Sequence, residues 1–135
     1  MEATTKEYTV VPNPTGVGAE VEGIDLSQPL ARGLENSLKE VVDLHSVVAF
    51  REQRLSPEDQ IRFARYFGEV EHHVLHKRYG LKGYPELLLI GNVKNDEGQH
   101  IGIHDGATKW HSDLSYKSEP TSYSFLYALE VPHSP

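Results

Sequence analysis

The strongest constraint on the fold is a helix signal that begins at Ser56. Serine is a favoured N-cap residue, Pro57 suits the first helical position, and two acidic residues follow in the first turn. Apolar residues then recur at helical spacing, at Ile61, Ala64 and Phe67. Gly68 stands where a left-handed C-cap is expected. The sequence therefore predicts a helix over 57–67.

Short apolar segments on both sides of this helix predict a mixed α+β chain. Two pieces separated by turn formers, 8–11 and 19–21, predict an antiparallel pair of strands. Helical spacing predicts an amphipathic helix over 31–45, and the apolar run that follows predicts a buried strand over 46–50. Further strands are predicted at 87–90, 110–116 and 123–131, with a turn at 95–98 and a polar loop at 99–109. Such a sheet has unprotected edges, so we expect either a partner to cover them or the natural chain to continue.

Composition excludes several classes of protein. The 135 residues contain no cysteine, which excludes disulfides, cysteine-based zinc sites, iron–sulfur clusters and thiol nucleophiles. The net charge of −7 repels phosphate backbones and anionic lipids, so we expect no nucleic-acid or membrane partner. No stretch approaches the ~20 apolar residues of a membrane span, and the first residues lack the apolar centre of a signal peptide. We therefore expect a cytoplasmic globular protein.

The eight histidines are the main source of candidate chemistry, and one of them lies two residues before an aspartate. On a strand, His111 and Asp113 would project from the same face and reach one metal ion together. With a histidine from a distant strand they would form the 2-His-1-carboxylate triad of non-haem Fe(II) oxygenases. The alternative is a solvated loop histidine beside an ordinary aspartate, and the spacing alone does not decide between them.

A second group of histidines, at positions 72, 73 and 76, follows the predicted helix. If this segment were helical, His72 and His76 would share a face and could bind zinc or nickel. Gly68 ends the preceding helix, however, and no carboxylate or cysteine lies at a recognisable ligand spacing. A polar loop rich in histidine is the favoured interpretation, and metal storage or sensing is the alternative.

The order of the segments resembles one enzyme family. The segments are 23–26 (GIDL), 44–53 (LHSVVAFREQ), 55–69 (LSPEDQIRFARYFGE), 90–92 (IGN), 110–116 (WHSDLSY) and 126–132 (LYALEVP). Together they resemble the N-terminal part of the taurine dioxygenase/2,4-D dioxygenase (TauD/TfdA) family. The resemblance extends from about residue 16 to residue 132 and is far more specific than the H-x-D spacing.

The resemblance implies a double-stranded β-helix (jelly-roll) core with flanking helices, which binds Fe(II) and 2-oxoglutarate. The family uses O2 to hydroxylate a small, mostly anionic organic substrate, with release of succinate and CO2. His111 and Asp113 match the first two iron ligands of the family. His73 matches a substrate-binding histidine, His76 is close to another pocket position, and Leu114 would line the same pocket.

The sequence also departs from the family pattern. Family members are longer, and their 2-oxoglutarate-binding threonine, second iron histidine and 2-oxoglutarate-binding arginine come after the part that this chain resembles. We therefore expect residues 1–135 to be the N-terminal part of a single dioxygenase domain, truncated and inactive alone. The alternative is a complete, non-catalytic interaction or regulatory module that recruits partners through its sheet edges, with a homo-oligomer as one such assembly.

Overall fold

The chain divides into two compact units at the boundary between Gly68 and Glu69. The computed structural model describes residues 8–106 and 108–131. We call the part up to Gly68 the N-terminal unit and the part from Glu69 the C-terminal unit. Within the described ranges, no helix is both long enough and apolar enough to cross a membrane.

A three-stranded sheet organises the N-terminal unit. Its strands are β1 (Thr9–Pro12), β2 (Ala19–Glu22) and β3 (Val48–Phe50), in the order β1-β2-β3. β1 and β2 pair antiparallel, which confirms the predicted pair. β3 pairs parallel to β2, with Ala19 opposite Val48, so the strand predicted over 46–50 is confirmed in a shorter form.

Helix α1 (Leu34–His45) connects β2 to β3 and confirms the predicted amphipathic helix. It begins three residues later than predicted, because its N-cap Gly33 has φ +88°, a left-handed conformation that a helix cannot include. The face that carries Leu34, Leu38 and Val41 is buried. Parallel strands need a crossover connection of this kind, so α1 explains how β3 can pair with β2.

Helix α2 (Pro57–Arg65) starts where the sequence predicts it and ends two residues early. Ser56 and Asp59 form a reciprocal capping box, in which each side chain accepts the other's backbone N–H. At the other end Tyr66 keeps a right-handed conformation and donates its N–H to the carbonyl three residues earlier. The last turn is therefore tightened, and the left-handed cap predicted at Gly68 is wrong.

Every buried apolar residue in the described ranges lies in the N-terminal unit. Phe63 makes edge-to-face contacts with Phe50 and Phe67 at ring-centroid distances of 5.3 Å each. The complete set is Tyr8, Ala19, Val21, Leu26, Leu34, Leu38, Val41, Ile61, Phe63 and Phe67. The N-terminal unit therefore has a packed apolar core of its own.

The C-terminal unit begins with short elements. They are α3 (His76–Tyr79), β4 (Gly80–Leu81) and β5 (Tyr84–Leu88), and the two strands pair antiparallel. The predicted strand over 87–90 is therefore present but begins earlier and is only half-buried. Gly83 has φ +87° in the tight turn between the strands, a conformation that glycine adopts without strain.

Isolated bridges extend the C-terminal unit beyond β5. Ile90 pairs with Ile103, and Lys94 pairs with His100. The turn predicted over 95–98 lies between these pairs, and its ends are joined by a 2.9 Å hydrogen bond from the Gly98 N–H to the Asn95 carbonyl. The polar loop predicted at 99–109 is thus partly paired.

The two strands predicted over 110–116 and 123–131 are wrong as strands. Residues 113–116 form a turn, and the described residues of both segments join no ladder. From 121 to 128 the side chains still alternate between half-buried and exposed positions, as they do along a strand. A strand needs a paired neighbour, and the described chain places none beside this segment. The α+β class is confirmed.

Candidate metal centre

His111 and Asp113 lie at a turn of the C-terminal unit rather than on the predicted strand. The Ser115 N–H donates to the Ser112 carbonyl over 3.4 Å as the backbone turns at this point. The turn nevertheless brings the two side chains together, with His111 Nε2 3.2 Å from Asp113 Oδ1. The predicted meeting of imidazole and carboxylate is therefore found, although a turn rather than strand alternation produces it.

The hydrogen bonding of His111 determines which ring nitrogen faces the carboxylate. Nδ1 lies 2.8 Å from the Lys109 carbonyl, which only accepts hydrogen bonds, so Nδ1 carries the proton. In the neutral ring Nε2 then has a lone pair, and that lone pair faces the Asp113 carboxylate. Two acceptors this close repel each other unless a proton or a metal cation lies between them. About half of each side chain is exposed, so an ion can reach them from solvent.

The spacing of the pair fits a shared metal ion. Two ligands that each stand about 2.1 Å from a metal at right angles are about 3.0 Å apart, close to the separation of Nε2 and Oδ1. The outer contacts fit as well, because metal-binding histidines usually donate their other N–H to a carbonyl or carboxylate. The Ser124 hydroxyl donates to the remaining oxygen of Asp113, Oδ2, over 2.6 Å.

The predicted substrate residues His73 and His76 lie at the start of the C-terminal unit, just before and within α3. His73 Nδ1 accepts the Leu75 N–H over 3.1 Å, so the proton of the neutral ring is on Nε2. His76 Nδ1 lies 2.7 Å from the His73 carbonyl and must donate to it, which leaves a lone pair on Nε2. The two rings therefore offer opposite hydrogen-bonding groups, a donor and an acceptor.

An ion pair connects the segment that carries the histidine run with the segment that follows Asp113. Lys117 Nζ donates to Glu71 Oε1, 46 residues away along the chain. Glu71 precedes the histidine run, and Lys117 lies four residues after Asp113. Leu114, the third predicted substrate residue, directly follows Asp113 in the sequence. Its side chain is half-buried, and its backbone has φ +51°.

The histidine run does not form a metal site of its own. His72 Nε2 is 3.9 Å from Glu86 Oε1, and the His72 and His76 rings are 5.8 Å apart between centroids. The polar loop predicted for this run is found at 71–75, whereas His76 begins α3. No group of three or more histidine, aspartate or glutamate side chains in 8–106 and 108–131 could hold a metal ion. His111 and Asp113 are therefore a pair that no third such side chain joins among the described residues.

Three contacts of the candidate centre were missed by sequence reasoning. The Lys109 contact is a backbone carbonyl, which no side-chain pattern can indicate. The Glu71–Lys117 pair and the contact from Ser124 to Asp113 depend on how distant segments meet. The one available signal was the alternation of residues 121–128, which places Ser124 on a defined face without saying what lies opposite.

Comparison with known proteins gives consistent matches. The 2,4-dichlorophenoxyacetate dioxygenase of Cupriavidus pinatubonensis, named as alpha-ketoglutarate-dependent, is 35% identical over 136 aligned positions, covering 93% of this chain and 47% of that protein. Pentalenolactone F synthase of Streptomyces avermitilis is 32% identical over 130 positions, covering 95% and 42%. This chain thus spans less than half the length of either relative.

One solved structure and one family model agree with these relatives. A crystal structure from Burkholderia xenovorans, described as a putative alpha-ketoglutarate-dependent 2,4-D dioxygenase, superposes with a TM-score of 0.55 over 84% of this chain and 35% of that one. At 21% identity it supports the fold alone. The family model for the taurine catabolism dioxygenases matches residues 8–134, nearly the whole sequence. The chain belongs to the TauD, TfdA family of taurine catabolism dioxygenases.

Proposed function

We propose that residues 1–135 are the N-terminal part of a single Fe(II)- and 2-oxoglutarate-dependent dioxygenase domain with a double-stranded β-helix core. His111 and Asp113 are its first two iron ligands. One observation carries this proposal: His111 Nε2 and Asp113 Oδ1 lie 3.2 Å apart, while the Lys109 carbonyl contacts the other ring nitrogen, Nδ1. Both groups would serve as ligands of a divalent cation bound here, which would supply the positive charge that two such acceptors need.

Bound iron and 2-oxoglutarate supply the oxidant: O2 is consumed, 2-oxoglutarate gives succinate and CO2, and a substrate C–H becomes C–OH. The contribution of this chain is to hold the ion. His111 supplies a neutral nitrogen and Asp113 one negative charge, and two such ligands leave several positions of a six-coordinate ion open. The Lys109 carbonyl orients the imidazole.

The residues that we assign to substrate binding are His73, His76 and Leu114. His73 presents an N–H donor at Nε2, which suits a carboxylate or sulfonate oxygen. His76 presents an acceptor, which suits a hydroxyl or amine on the same molecule. Leu114 adds an apolar wall beside Asp113. A small anionic organic molecule with an apolar body is the substrate class that fits this set.

The 135 residues alone are expected to bind metal weakly and to turn over no 2-oxoglutarate. No residue of this sequence is identified as the second iron histidine, or as the threonine or arginine that would hold 2-oxoglutarate. Two protein ligands hold an ion less firmly than three.

Metal binding tests the proposal on the chain itself. Co(II), a spectroscopic substitute for Fe(II), is titrated into the wild type and into His111→Ala and Asp113→Ala, with His45→Ala on α1 as the matched control. We expect Co(II) absorption bands whose apparent Kd rises more than about tenfold in both ligand variants, while the control is unchanged. Equal titration curves for the wild type and His111→Ala would contradict the assignment.

Activity is tested on the gene product purified from its source. Succinate release from 2-oxoglutarate is measured with Fe(II), O2 and a panel of sulfonates and phenoxyacetates. We expect release that depends on one class of acid and is abolished by His111→Ala. Full activity in that variant would remove His111 from the iron site.

A non-catalytic interaction module remains the alternative function. The exposed apolar side chains of the C-terminal unit favour it, because Leu126 is 86% and Leu129 74% exposed. The native mass and a sedimentation measurement test it: a stable 135-residue homo-oligomer without metal binding would replace the dioxygenase proposal. A cytoplasmic location and the absence of nucleic-acid partners stay predictions.

A further inference from the structure

The two oxygens of Asp113 have different partners. Oδ1 lies 3.2 Å from His111 Nε2, whereas Oδ2 accepts a hydrogen bond from the Ser124 hydroxyl over 2.6 Å. A hydroxyl-to-carboxylate bond of this length is in the charge-assisted range and is about twice as strong as a neutral one. The carboxylate is therefore held with one oxygen toward the histidine and the other occupied.

The position of Ser124 makes this contact specific. Ser124 is eleven residues beyond Asp113, on the exposed face of the alternating segment 121–128. Its neighbours Tyr123 and Phe125 are half-buried on the opposite face. Ser122 lies on the same face two residues earlier, so only one of the two exposed serines meets the aspartate.

We propose that Ser124 is a positioning residue that keeps Asp113 a one-oxygen ligand of the metal. This inference rests on the function proposed above. A carboxylate free to rotate can bind an ion through both oxygens and then occupies one more coordination position. With Oδ2 held by Ser124, that position stays open, and a chelating co-substrate together with O2 needs every position that the protein ligands leave.

The test counts water molecules on bound Mn(II), because each open position holds a water. Water-proton relaxation at saturating Mn(II) is measured for the wild type, Ser124→Ala, Ser124→Thr and the control Ser122→Ala. The relaxation signal of His111→Ala is subtracted, because it reports Mn(II) that is bound elsewhere on the chain. The readout does not depend on turnover, and Ser124 is exposed, so its replacement leaves the packed core intact.

We expect Ser124→Ala to lose one coordinated water per bound Mn(II), while Ser124→Thr and Ser122→Ala match the wild type. An unchanged water number in Ser124→Ala would overturn the role of Ser124 and leave the metal site standing. A wild type that binds no more Mn(II) than His111→Ala would overturn both this inference and the proposed iron site.

Discussion

The two units of the chain differ in where their apolar side chains lie. In the N-terminal unit ten apolar residues are buried, Leu38 and Phe63 among them, whereas none of the described apolar residues of the C-terminal unit is buried. Large apolar side chains of the C-terminal unit are instead exposed, including Ile90, Trp110, Tyr116, Leu126, Leu129 and Val131. Every proposed site residue belongs to this second unit.

The residues that stabilise the fold by packing are therefore different from the proposed site residues. Burial of apolar surface is the main favourable term in folding, so the N-terminal unit is stabilised chiefly by its own packing. The C-terminal unit is held by the short β4–β5 pair, turns, isolated bridges and the Glu71–Lys117 ion pair, and such an ion pair is individually weak. Substitutions of buried apolar residues should therefore lower the stability of the N-terminal unit. Substitutions of polar residues in the C-terminal unit should instead change the properties of the proposed site.

The largest expected effect is in the core. Leu38 is fully buried, so Leu38→Ala should lower the free energy of unfolding of the N-terminal unit by about 2–5 kcal/mol. Leu44 lies on the same helix but is 77% exposed, and Leu44→Ala should change it by less than about 0.5 kcal/mol. Urea titration followed by amide exchange of α1 measures both. Similar losses in the two variants would break the comparison.

An intermediate effect is expected at the N-terminus of α2. Ser56→Ala removes the hydroxyl that accepts the Asp59 N–H, which should lower the free energy of unfolding by about 1 kcal/mol. Ser56→Thr keeps the cap and should recover most of that loss. Thermal unfolding compares the three proteins, and equal stability of the alanine and threonine variants would show that the hydrogen bond contributes nothing.

The smallest effect is pH-dependent and belongs to the C-terminal unit. His100 and His104 stack with ring centroids 3.8 Å apart and planes 4° from parallel. Burial, and then the positive charges of His104 and Lys94, lower the pKa of His100 from its ordinary value of 6.5, against the opposing effects of the Asn92 carbonyl and Asp105. Burial is the chief cause, and His100 Nδ1 is a buried atom with no hydrogen-bond partner.

The unfolded chain therefore binds a proton at His100 more readily than the folded one. The stabilisation is present above pH 6.5 and is lost as the pH falls through the lowered pKa. The protection factors of the Gly91 and Ile103 amides, which flank the bridges, should fall on acidification once exchange rates are corrected for their intrinsic pH dependence, and His100→Gln should reduce that fall. Protection factors of Gly91 and Ile103 that do not change with pH in the wild type would contradict the prediction, with the amides of α1 as the internal reference.

Local signals account for what could be predicted from the sequence. The capping residues of α2 and the turn formers between β1 and β2 act over a few residues, and both elements are where the sequence places them. The strand predicted over 110–116 failed, because a strand depends on a neighbour that its own residues do not specify.

The candidate site shows the same division. His111 and Asp113 are close in sequence, so their meeting could be predicted even though the element was wrong. The Ser124 contact could not, because it depends on the register between two segments eleven residues apart. A partner two residues away could be predicted from the sequence, but a partner in a different segment could not.

The left-handed backbone at Leu114 restricts how this family member can diversify. With φ +51°, the residue after Asp113 is in a region that glycine and asparagine enter readily and β-branched residues resist. Mutational drift toward valine or isoleucine would strain the turn that presents Asp113. A laboratory search for substrates of the proposed dioxygenase would do better to replace Leu114 with glycine, asparagine or unbranched side chains, and to test changes of shape at the other two proposed substrate positions, 73 and 76.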